Sequence, residues 1–204
     1  MNARDLYLDL MIKAVFNTIY QDGNMNPKRP VDFVSEHRLH GRDWPEIAHS
    51  MIGFKRLENL KELCSRAIDQ GISGDFVETG VWRGGACILM RGVLAAYEDK
   101  ERRVFCCDSF EGLPRPDSTK YRDNPEDKHH TYDELRVSLE EVQENFARYG
   151  LLDNQVVFVK GFFAIRFTLL IALRLLFSDW MVTCMNLRFR RWMTYITECL
   201  KEAL

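Results

Sequence analysis

The sequence predicts an α/β fold with a parallel sheet, and three observations support that prediction. Residues 75–78 and 103–108 are short apolar runs typical of buried strands, and residues 85–97 between them have helical spacing. A turn with three glycines joins the first strand to this helix, and an acidic residue ends each strand. Strand, helix and strand in this order form a βαβ unit, which makes the strands parallel and brings a ligand to their carboxyl ends.

The composition indicates one globular domain. The chain has 204 residues, of which 46% are hydrophobic and 28% charged, and its formal net charge is -2. This length leaves no room for a second complete domain, and the near-neutral charge disfavours nucleic acid as a partner. The six cysteines form no CxxC pair, so we expect buried, reduced thiols. The first residues do not resemble a signal peptide, which predicts a cytoplasmic location.

Helices and a loop are predicted before the βαβ unit. Apolar spacing predicts an amphipathic helix over residues 3–20, which Asp22-Gly23-Asn24 ends. Residues 21–45 contain several breakers and many charges, which is typical of a long surface loop or a flexible lid. Asp43 is a candidate cap for a helix over about 46–70 that closes at Gly71. Residues 1–72 therefore form a predicted N-terminal helical and lid region.

The remaining core, residues 73–163, contains the βαβ unit and two further elements. Helical spacing over residues 133–149 stops at Gly150, and residues 156–159 form another buried strand. Between the second strand and this helix, residues 112–125 are rich in breakers. We find no internal repeat.

The turn between the first strand and its helix is the most informative stretch. It reads Glu78-Thr79-Gly80-Val81-Trp82-Arg83-Gly84-Gly85, in which the glycines let the backbone approach a ligand and the helix N-terminus offers free amides. The Glu78 carboxylate disfavours a phosphate-rich dinucleotide and suits an ammonium group, such as that of S-adenosylmethionine. Asp108 lies 24 positions past Gly84, where ribose hydroxyls would be held. Two alternatives stay open: these acids only cap helices or turns, or the turn serves an NAD-dependent oxidoreductase.

Four more runs extend the pattern beyond this turn: Asn17-Thr18-Ile19-Tyr20, Gly41-Arg42-Asp43-Trp44-Pro45, Asp108-Ser109-Phe110-Glu111-Gly112-Leu113-Pro114 and Asn145-Phe146-Ala147-Arg148-Tyr149-Gly150-Leu151. Through these runs, residues 3–163 resemble the macrocin O-methyltransferase (TylF-type) family. The resemblance implies a Rossmann-like, S-adenosylmethionine-dependent methyltransferase fold with N-terminal helices. It also implies a divalent metal, usually magnesium, and as partner a small-molecule acceptor with a hydroxyl on a sugar or natural product.

The resemblance assigns roles to several residues. It implies that Glu78 and Gly80 lie along the methionine and adenosine path, that Asp108 holds the ribose, and that Ser109 and Phe110 flank the adenine. A turn hydroxyl for Ser109 and a core aromatic for Phe110 remain open. The complete predicted cofactor-binding set is Glu78, Thr79, Gly80, Gly84, Gly85, Asp108, Ser109 and Phe110.

The acceptor side has fewer candidates. His129 and His130 precede a predicted helix, where a neutral imidazole could take the proton of the acceptor hydroxyl, and the family pattern places one of them near the acceptor. Both are therefore predicted catalytic residues, with a solvated loop histidine as the alternative. Trp44 and His49 could line the acceptor pocket, with ordinary packing as the alternative. The sequence predicts neither the identity of the acceptor nor the oligomeric state.

The resemblance also implies metal-ligating aspartates from later strands, in a Leu-Asp-Gly-Asp run and an Asp-Asp pair. Neither occurs in this sequence, so we assign no metal ligands. The later strands that would carry these ligands are missing as well, so the fold is expected to be incomplete. We therefore expect residues 1–163 to be a truncated methyltransferase domain that is inactive as written.

Residues 164–204 differ from the rest and are predicted to be a non-family helical tail. They contain no glycine and no proline, and six basic against three acidic residues give them a net charge of +3. The apolar run 162–177 is 16 residues long and contains Arg166 and Arg174, too short and charged for a membrane span. One alternative function is an inactive donor-binding or regulatory fragment whose basic apolar tail contacts a partner. Contact with a membrane is less favoured.

The genetic code suggests an origin for this tail. Because Trp and Met have single codons, residues 179–186 are encoded as GAY TGG ATG GTN ACN TGY ATG AAY. Read from the third base of the Asp179 codon, the same bases encode Leu-Asp-Gly, then one of Asp, Asn, His or Tyr, then two further residues and Glu. This product accommodates the missing metal run. Any Trp-Met pair forces an aspartate in that frame, so the aspartate alone is weak evidence. The glycine and the glutamate, which occur in the expected order, are the stronger evidence for a shifted frame. We therefore predict a frameshift near Phe163.

Overall fold

The computed structural model describes residues 2–26, 28, 30–115 and 128–161. The predicted tail over residues 164–204, the predicted frameshift and two of the cysteines, Cys184 and Cys199, lie outside the described residues. The other four cysteines are free and buried, which confirms the prediction for Cys64, Cys87, Cys106 and Cys107.

The described strands form one parallel sheet. These are β1 (Phe76–Thr79), β2 (Val104–Asp108) and β3 (Val156–Lys160), in the order β1-β2-β3. Both strand pairs are parallel, with Glu78 opposite Cys106 and Cys106 opposite Phe158. The sequence therefore predicted all three strands to within one residue at each end, and the parallel βαβ unit is confirmed.

The described ranges contain five α-helices: α1 (Ala3–Val15), α2 (Ser35–Leu39), α3 (Phe54–Asp69), α4 (Gly85–Ala96) and α5 (Leu139–Arg148). Short 3₁₀ turns lie at His129–Thr131 and Asp133–Leu135. No helix in these ranges is both long and apolar enough to cross a lipid bilayer.

Helix α4 is the centre of the hydrophobic core. Its residues from Gly85 to Leu94 are all buried, because α1 and α3 pack against it on one side and the sheet on the other. A helix that is apolar all round is expected in such a position. Gly92 lets α1 approach closely, since a Cβ atom there would lie 3.0 Å from the Cε atom of Met11.

Two helices begin or end at residues other than those that the sequence predicted. The helix predicted over 3–20 ends at Val15, because Asn17 has a φ of 50° and its side chain donates to Asp22 at 2.9 Å. The helix predicted over 46–70 begins only at Phe54, and Asp43 does not cap it. The Asp43 carboxylate instead accepts from Arg38 at 2.6 Å.

The prediction of a long surface loop over residues 21–45 is only partly right. Much of the region is irregular and exposed, but it contains α2, and its polar side chains Asp22, Asn24, Arg38 and Asp43 are buried. Arg38 pairs there with the carboxylates of Asp22 and Asp43. Likewise, the helix predicted over 133–149 is a 3₁₀ turn followed by α5, which begins after Ser138, whose hydroxyl accepts from the Glu141 amide at 3.1 Å.

Candidate functional site

The carboxyl ends of β1 and β2 bring the predicted acidic residues to one edge of the sheet. Thr79, which follows Glu78, pairs with Cys107, which precedes Asp108. Residues 80–85, here called the glycine turn, are joined to the end of β2 by two hydrogen bonds. The Gly80 amide donates to the Cys107 carbonyl at 3.0 Å, and the Val81 amide donates to Asp108 Oδ2 at 2.6 Å.

Glu78 is a buried carboxyl group at this edge. It is 6% exposed, and no described residue forms a hydrogen bond with its side chain. Burial raises its pKa to about 8. Burial disfavours the ionised carboxyl, so a positive charge beside Glu78 would be needed to ionise it at neutral pH.

Asp108 is already engaged by backbone groups. Besides the Val81 amide, its carboxylate accepts the Phe110 amide at 2.9 Å. A carboxylate accepts about four hydrogen bonds, so capacity remains for a ligand hydroxyl.

Ser109 and Phe110 shape the turn after β2. The buried Ser109 hydroxyl donates to the Gly112 carbonyl at 2.7 Å and accepts the Glu111 amide at 3.1 Å. The Phe110 ring is also buried and lies 6.3 Å from the Phe158 ring. These contacts fit the turn-hydroxyl and core-aromatic interpretations, and a role of either residue beside adenine stays a prediction.

The three glycines of the turn face different surroundings. Gly80 has a φ of +85°, and no described atom lies within 4 Å of where its Cβ atom would be, so it presents an open face. A Cβ atom on Gly84 would meet Val142 at 3.1 Å, and one on Gly85 would meet the His49 carbonyl oxygen at 2.4 Å. The Gly85 amide also donates to that oxygen at 2.9 Å, so it is not a free helix N-terminal donor.

Two long-range contacts hold the glycine turn in place, and the sequence did not indicate them. Arg83 Nη1 contacts backbone carbonyls of residues 45–48, and Asn145 Nδ2 of α5 donates to the Arg83 carbonyl at 3.1 Å. Neither contact has a local sequence signal, because the partners are more than 30 positions away.

A second group of residues lies beside the glycine turn. Trp82 Nε1 donates to the Glu134 carbonyl at 3.0 Å, which brings the 128–135 loop to the turn. The Tyr132 ring of that loop lies 5.2 Å from the Trp44 ring and 6.0 Å from the His129 ring. These contacts place Trp44 and His129 on one surface.

The histidines in this region have different environments. His130 Nδ1 is buried and has no hydrogen-bond partner among the described residues. His49 Nδ1 lies 2.8 Å from the Tyr149 hydroxyl, and burial, together with Arg148 and Arg83, lowers the His49 pKa to about 4. His49 is therefore neutral, and its ring packs against Tyr149 at the end of α5.

The described residues do not fit a metal centre. Across residues 2–26, 28, 30–115 and 128–161, no group of three His, Cys, Asp or Glu side chains is arranged to hold a metal ion. The magnesium that the resemblance implies therefore has no ligand set in this part of the chain.

Comparison with known proteins identifies the family. The family model described as Macrocin-O-methyltransferase (TylF) matches residues 4–172. This chain belongs to the macrocin O-methyltransferase family. The resemblance inferred from the sequence is thereby confirmed, whereas the boundary at residue 163 stays a prediction. Membership implies S-adenosylmethionine as the methyl donor.

Several relatives in this family are similar over the same region. The 8-demethyl-8-(2,3-dimethoxy-alpha-L-rhamnosyl)-tetracenomycin-C 4'-O-methyltransferase of Streptomyces olivaceus is 47% identical over 169 residues, 79% of this chain and 63% of that relative. Mycinamicin III 3''-O-methyltransferase of Micromonospora griseorubida is 47% identical, with 78% and 65% covered. Demethyldecarbamoylnovobiocin O-methyltransferase of Streptomyces niveus is 48% identical, with 78% and 62% covered.

The solved structure of the O-methyltransferase NovP confirms the fold. It superposes with a TM-score of 0.74 at 46% identity and covers 79% of this chain and 66% of NovP. The chain thus has a partial α/β methyltransferase fold, and it spans less than two thirds of the relatives it matches.

Proposed function

We propose that this chain binds S-adenosylmethionine at the glycine turn, with Glu78 facing the ammonium group of the donor. The observation that carries this proposal is the buried Glu78 carboxyl, which lacks a described partner and lies two positions before Gly80, whose open face is unoccupied by described atoms. A donor ammonium group would supply the missing partner. Asp108 would use its remaining capacity for a ribose hydroxyl.

The donor, when bound, supplies a methyl group for direct displacement by an acceptor oxygen. We propose that the acceptor is a hydroxyl on a sugar or another part of a natural product, as in the names of the relatives. Trp44 and Tyr132 offer aromatic faces beside the turn. His130 is the candidate base, because its buried Nδ1 has no described partner and could accept the hydroxyl proton. His129 is the second candidate, and it contacts Tyr132.

Titration calorimetry of the full chain with S-adenosylmethionine tests the donor site. We expect saturable binding that releases a proton near pH 7, because an ammonium group beside Glu78 favours the ionised carboxyl and lowers its pKa from about 8. Two buffers with different ionisation enthalpies measure that proton. Glu78→Gln should abolish both the binding and the release, whereas Glu140→Gln, at an exposed position of α5, should keep both. Absence of binding by the unmodified chain would overturn the proposal.

We also propose that the chain as written does not transfer the methyl group and that residues 164–204 are read in a shifted frame. Support comes from the absence of a Leu-Asp-Gly-Asp run in the sequence and from an alternative reading of residues 179–186 that begins Leu-Asp-Gly and accommodates Asp at the fourth position. Genomic and transcript reads across Phe163 test this directly. An intact frame, with no family sequence in the alternative reading, would contradict it.

The alternative is a donor-binding or regulatory fragment whose tail contacts a partner or a membrane. The net charge of +3 on the tail is the observation that favours it. Flotation of the full chain with anionic and neutral vesicles tests the membrane version, and we expect no flotation with either. Thermal shifts with S-adenosylmethionine and with NAD distinguish these two functions from an oxidoreductase. For an oxidoreductase, only NAD would raise the melting temperature.

A further inference from the structure

The buried side chain of Arg38 binds two aspartates in the N-terminal region, and Arg38, Asp22 and Asp43 are here called the Arg38 cluster. Arg38 is 1% exposed. Its Nε donates to Asp43 Oδ2 at 2.6 Å and its Nη1 to Asp22 Oδ1 at 2.7 Å. The Phe16 carbonyl accepts another hydrogen bond at 3.1 Å. A guanidinium that is removed from water to this extent requires such partners, so the Arg38 cluster is an integral part of the fold.

Asp22 connects the cluster to residues 45–50, here called the 45–50 segment. Its Oδ2 atom accepts the backbone N–H groups of Ile47 at 2.6 Å and Ala48 at 3.1 Å. Burial alone raises the pKa of the Asp22 carboxyl, but the hydrogen bonds from Arg38 and these two amides outweigh burial and hold the pKa below its usual value. Asp22 is therefore ionised at neutral pH, with both oxygens engaged.

The 45–50 segment in turn holds the glycine turn. Arg83 Nη1 lies 2.9 Å from the Pro45 carbonyl, 2.8 Å from that of Glu46 and 3.3 Å from that of Ala48. The Gly85 amide donates to the next carbonyl of the segment, that of His49. Because all four carbonyls come from one short segment, the path of its backbone determines where Arg83 and Gly85 lie.

We propose that Asp22 is a positioning residue for the glycine turn, acting through the 45–50 segment and Arg83. The inference rests on the proposed donor site, since that turn carries Gly80 and follows Glu78. The Asp22 carboxylate fixes two consecutive amides of the segment, which orients its carbonyls toward Arg83. Small displacements of a binding turn are sufficient to weaken a ligand that several of its groups contact together.

Asp99 provides a matched control. Its Oδ1 accepts two backbone amides, those of Glu101 and Arg102, both at 3.0 Å, and its Oδ2 accepts from Arg102 Nε at 2.9 Å. This resembles the pattern of Asp22, which accepts from Asn17 in addition, but Asp99 precedes β2 and therefore lies at the opposite edge of the sheet from the glycine turn. Asp22→Asn and Asp99→Asn remove the same charge from a carboxylate that accepts two backbone amides and an arginine.

Two measurements on the full-length variants test the proposal. Without ligand, hydrogen exchange followed by mass spectrometry should be about tenfold faster in the glycine turn of Asp22→Asn, and the donor should bind about tenfold more weakly. Asp99→Asn should lower the melting temperature but leave turn exchange and donor affinity within about twofold of the unmodified chain. The exchange measurement needs no donor, so a failure of the proposed donor site would not be confused with a failure of this inference.

A second pair of variants decides the matter if Asp22→Asn does not fold. The Ile47 side chain is 66% exposed, so Ile47→Pro removes chiefly the amide that Asp22 accepts, and Ile47→Ala keeps it. We expect Ile47→Pro to reproduce the faster exchange of the glycine turn and Ile47→Ala to leave it unchanged. If neither Asp22→Asn nor Ile47→Pro alters the turn more than its control does, Asp22 has a purely structural role and the proposal is wrong.

Discussion

At the level of single residues, the protonation state of Glu78 depends on folding. Burial raises the pKa of its carboxyl from 4.5 to about 8, so the folded protein retains a proton at neutral pH that the unfolded chain has lost. The contribution of this group to stability is therefore complete below pH 4.5 and is lost as the pH rises through about 8. The proposed donor site thus lowers stability at high pH in the absence of ligand.

Glu78→Gln should remove this pH dependence. Because Gln is never ionised, the variant should match the unmodified chain near pH 4.5 and exceed it at pH 8. The expected gain at the higher pH is on the order of 4 kcal/mol in the free energy of unfolding. Denaturant unfolding of both proteins at several pH values measures the difference, and a difference that does not change with pH would contradict the burial argument.

Gly85→Ala should mainly lower stability, whereas Gly80→Ala should mainly weaken donor binding. At Gly85 the added Cβ would lie 2.4 Å from the His49 carbonyl oxygen, so Gly85→Ala should cost about 2–3 kcal/mol of stability. At Gly80 no described atom is near, so Gly80→Ala should cost only about 1 kcal/mol for the left-handed backbone. Its methyl group would instead occupy the open face and weaken donor binding.

Thermal melts and donor titrations of the two glycine variants measure these effects. The expected result is a destabilised Gly85→Ala and a folded Gly80→Ala with lost donor affinity. Unchanged donor affinity in Gly80→Ala would show that the open face of Gly80 is not a binding surface. Equal loss of stability in both variants would contradict the packing argument.

At the level of elements, one ion pair joins α4 to the turn before β3. Arg91 donates through Nε and Nη2 to Asp153 at 3.2 and 2.5 Å, while its Nη1 has no partner among the described residues. The hydrogen bond from Arg91 is the main cause that lowers the Asp153 pKa below 3.8. The stabilisation is therefore present above pH 3.8 and is lost as the pH falls through the lower, folded-state value.

Removing the Asp153 carboxylate should destabilise this junction. Asp153→Ala leaves the buried Arg91 guanidinium without its acceptor, and we expect a loss of about 1–2 kcal/mol at pH 7. Asp153→Asn keeps one acceptor oxygen and should lose less. Since Asp153 is about 41% exposed, solvent screening limits the effect. Urea unfolding at pH 7 and pH 3 measures it, and the Ala variant should differ least from the unmodified chain at pH 3.

The elements that the sequence predicted are those with local signals. Strands β1 to β3 are short runs composed mainly of apolar residues, and α4 is a mainly apolar helix after a glycine turn, so their positions follow from neighbouring residues. Glu78 and Asp108 were found because strand ends meet at one edge of a parallel sheet.

The N-terminal region was predicted poorly because its order comes from distant partners. Arg38 and Asp22 are 16 positions apart, and Asp22 and Ile47 are 25 apart. A dense run of charges ordinarily indicates solvent, and only the folded chain shows that Arg38 is buried with two carboxylates. The late start of α3 has the same cause, since Asp22 and Arg83 bind the backbone that precedes it.

At the level of the whole molecule, the chain combines a family region with a tail of different composition. The described residues include the glycine turn and the 128–135 loop, but no group suited to a metal. The proposed donor site lies in parts of the chain that the structure describes. Under the proposed frameshift, the metal site would instead depend on sequence from the alternative frame. Donor binding and methyl transfer should for this reason be separable.

We predict that restoring the alternative frame after Phe163 adds methyl transfer without changing donor binding. The printed chain and the frame-restored chain should bind S-adenosylmethionine with affinities within about threefold, because both contain the glycine turn, Glu78 and Asp108. Only the restored chain should methylate hydroxylated natural products, and a chelator should abolish this activity because the aspartates return in the restored frame. Mass spectrometry of the products with and without magnesium measures the transfer. Turnover by the printed chain would show that the metal run is dispensable and that residues 164–204 do not prevent catalysis.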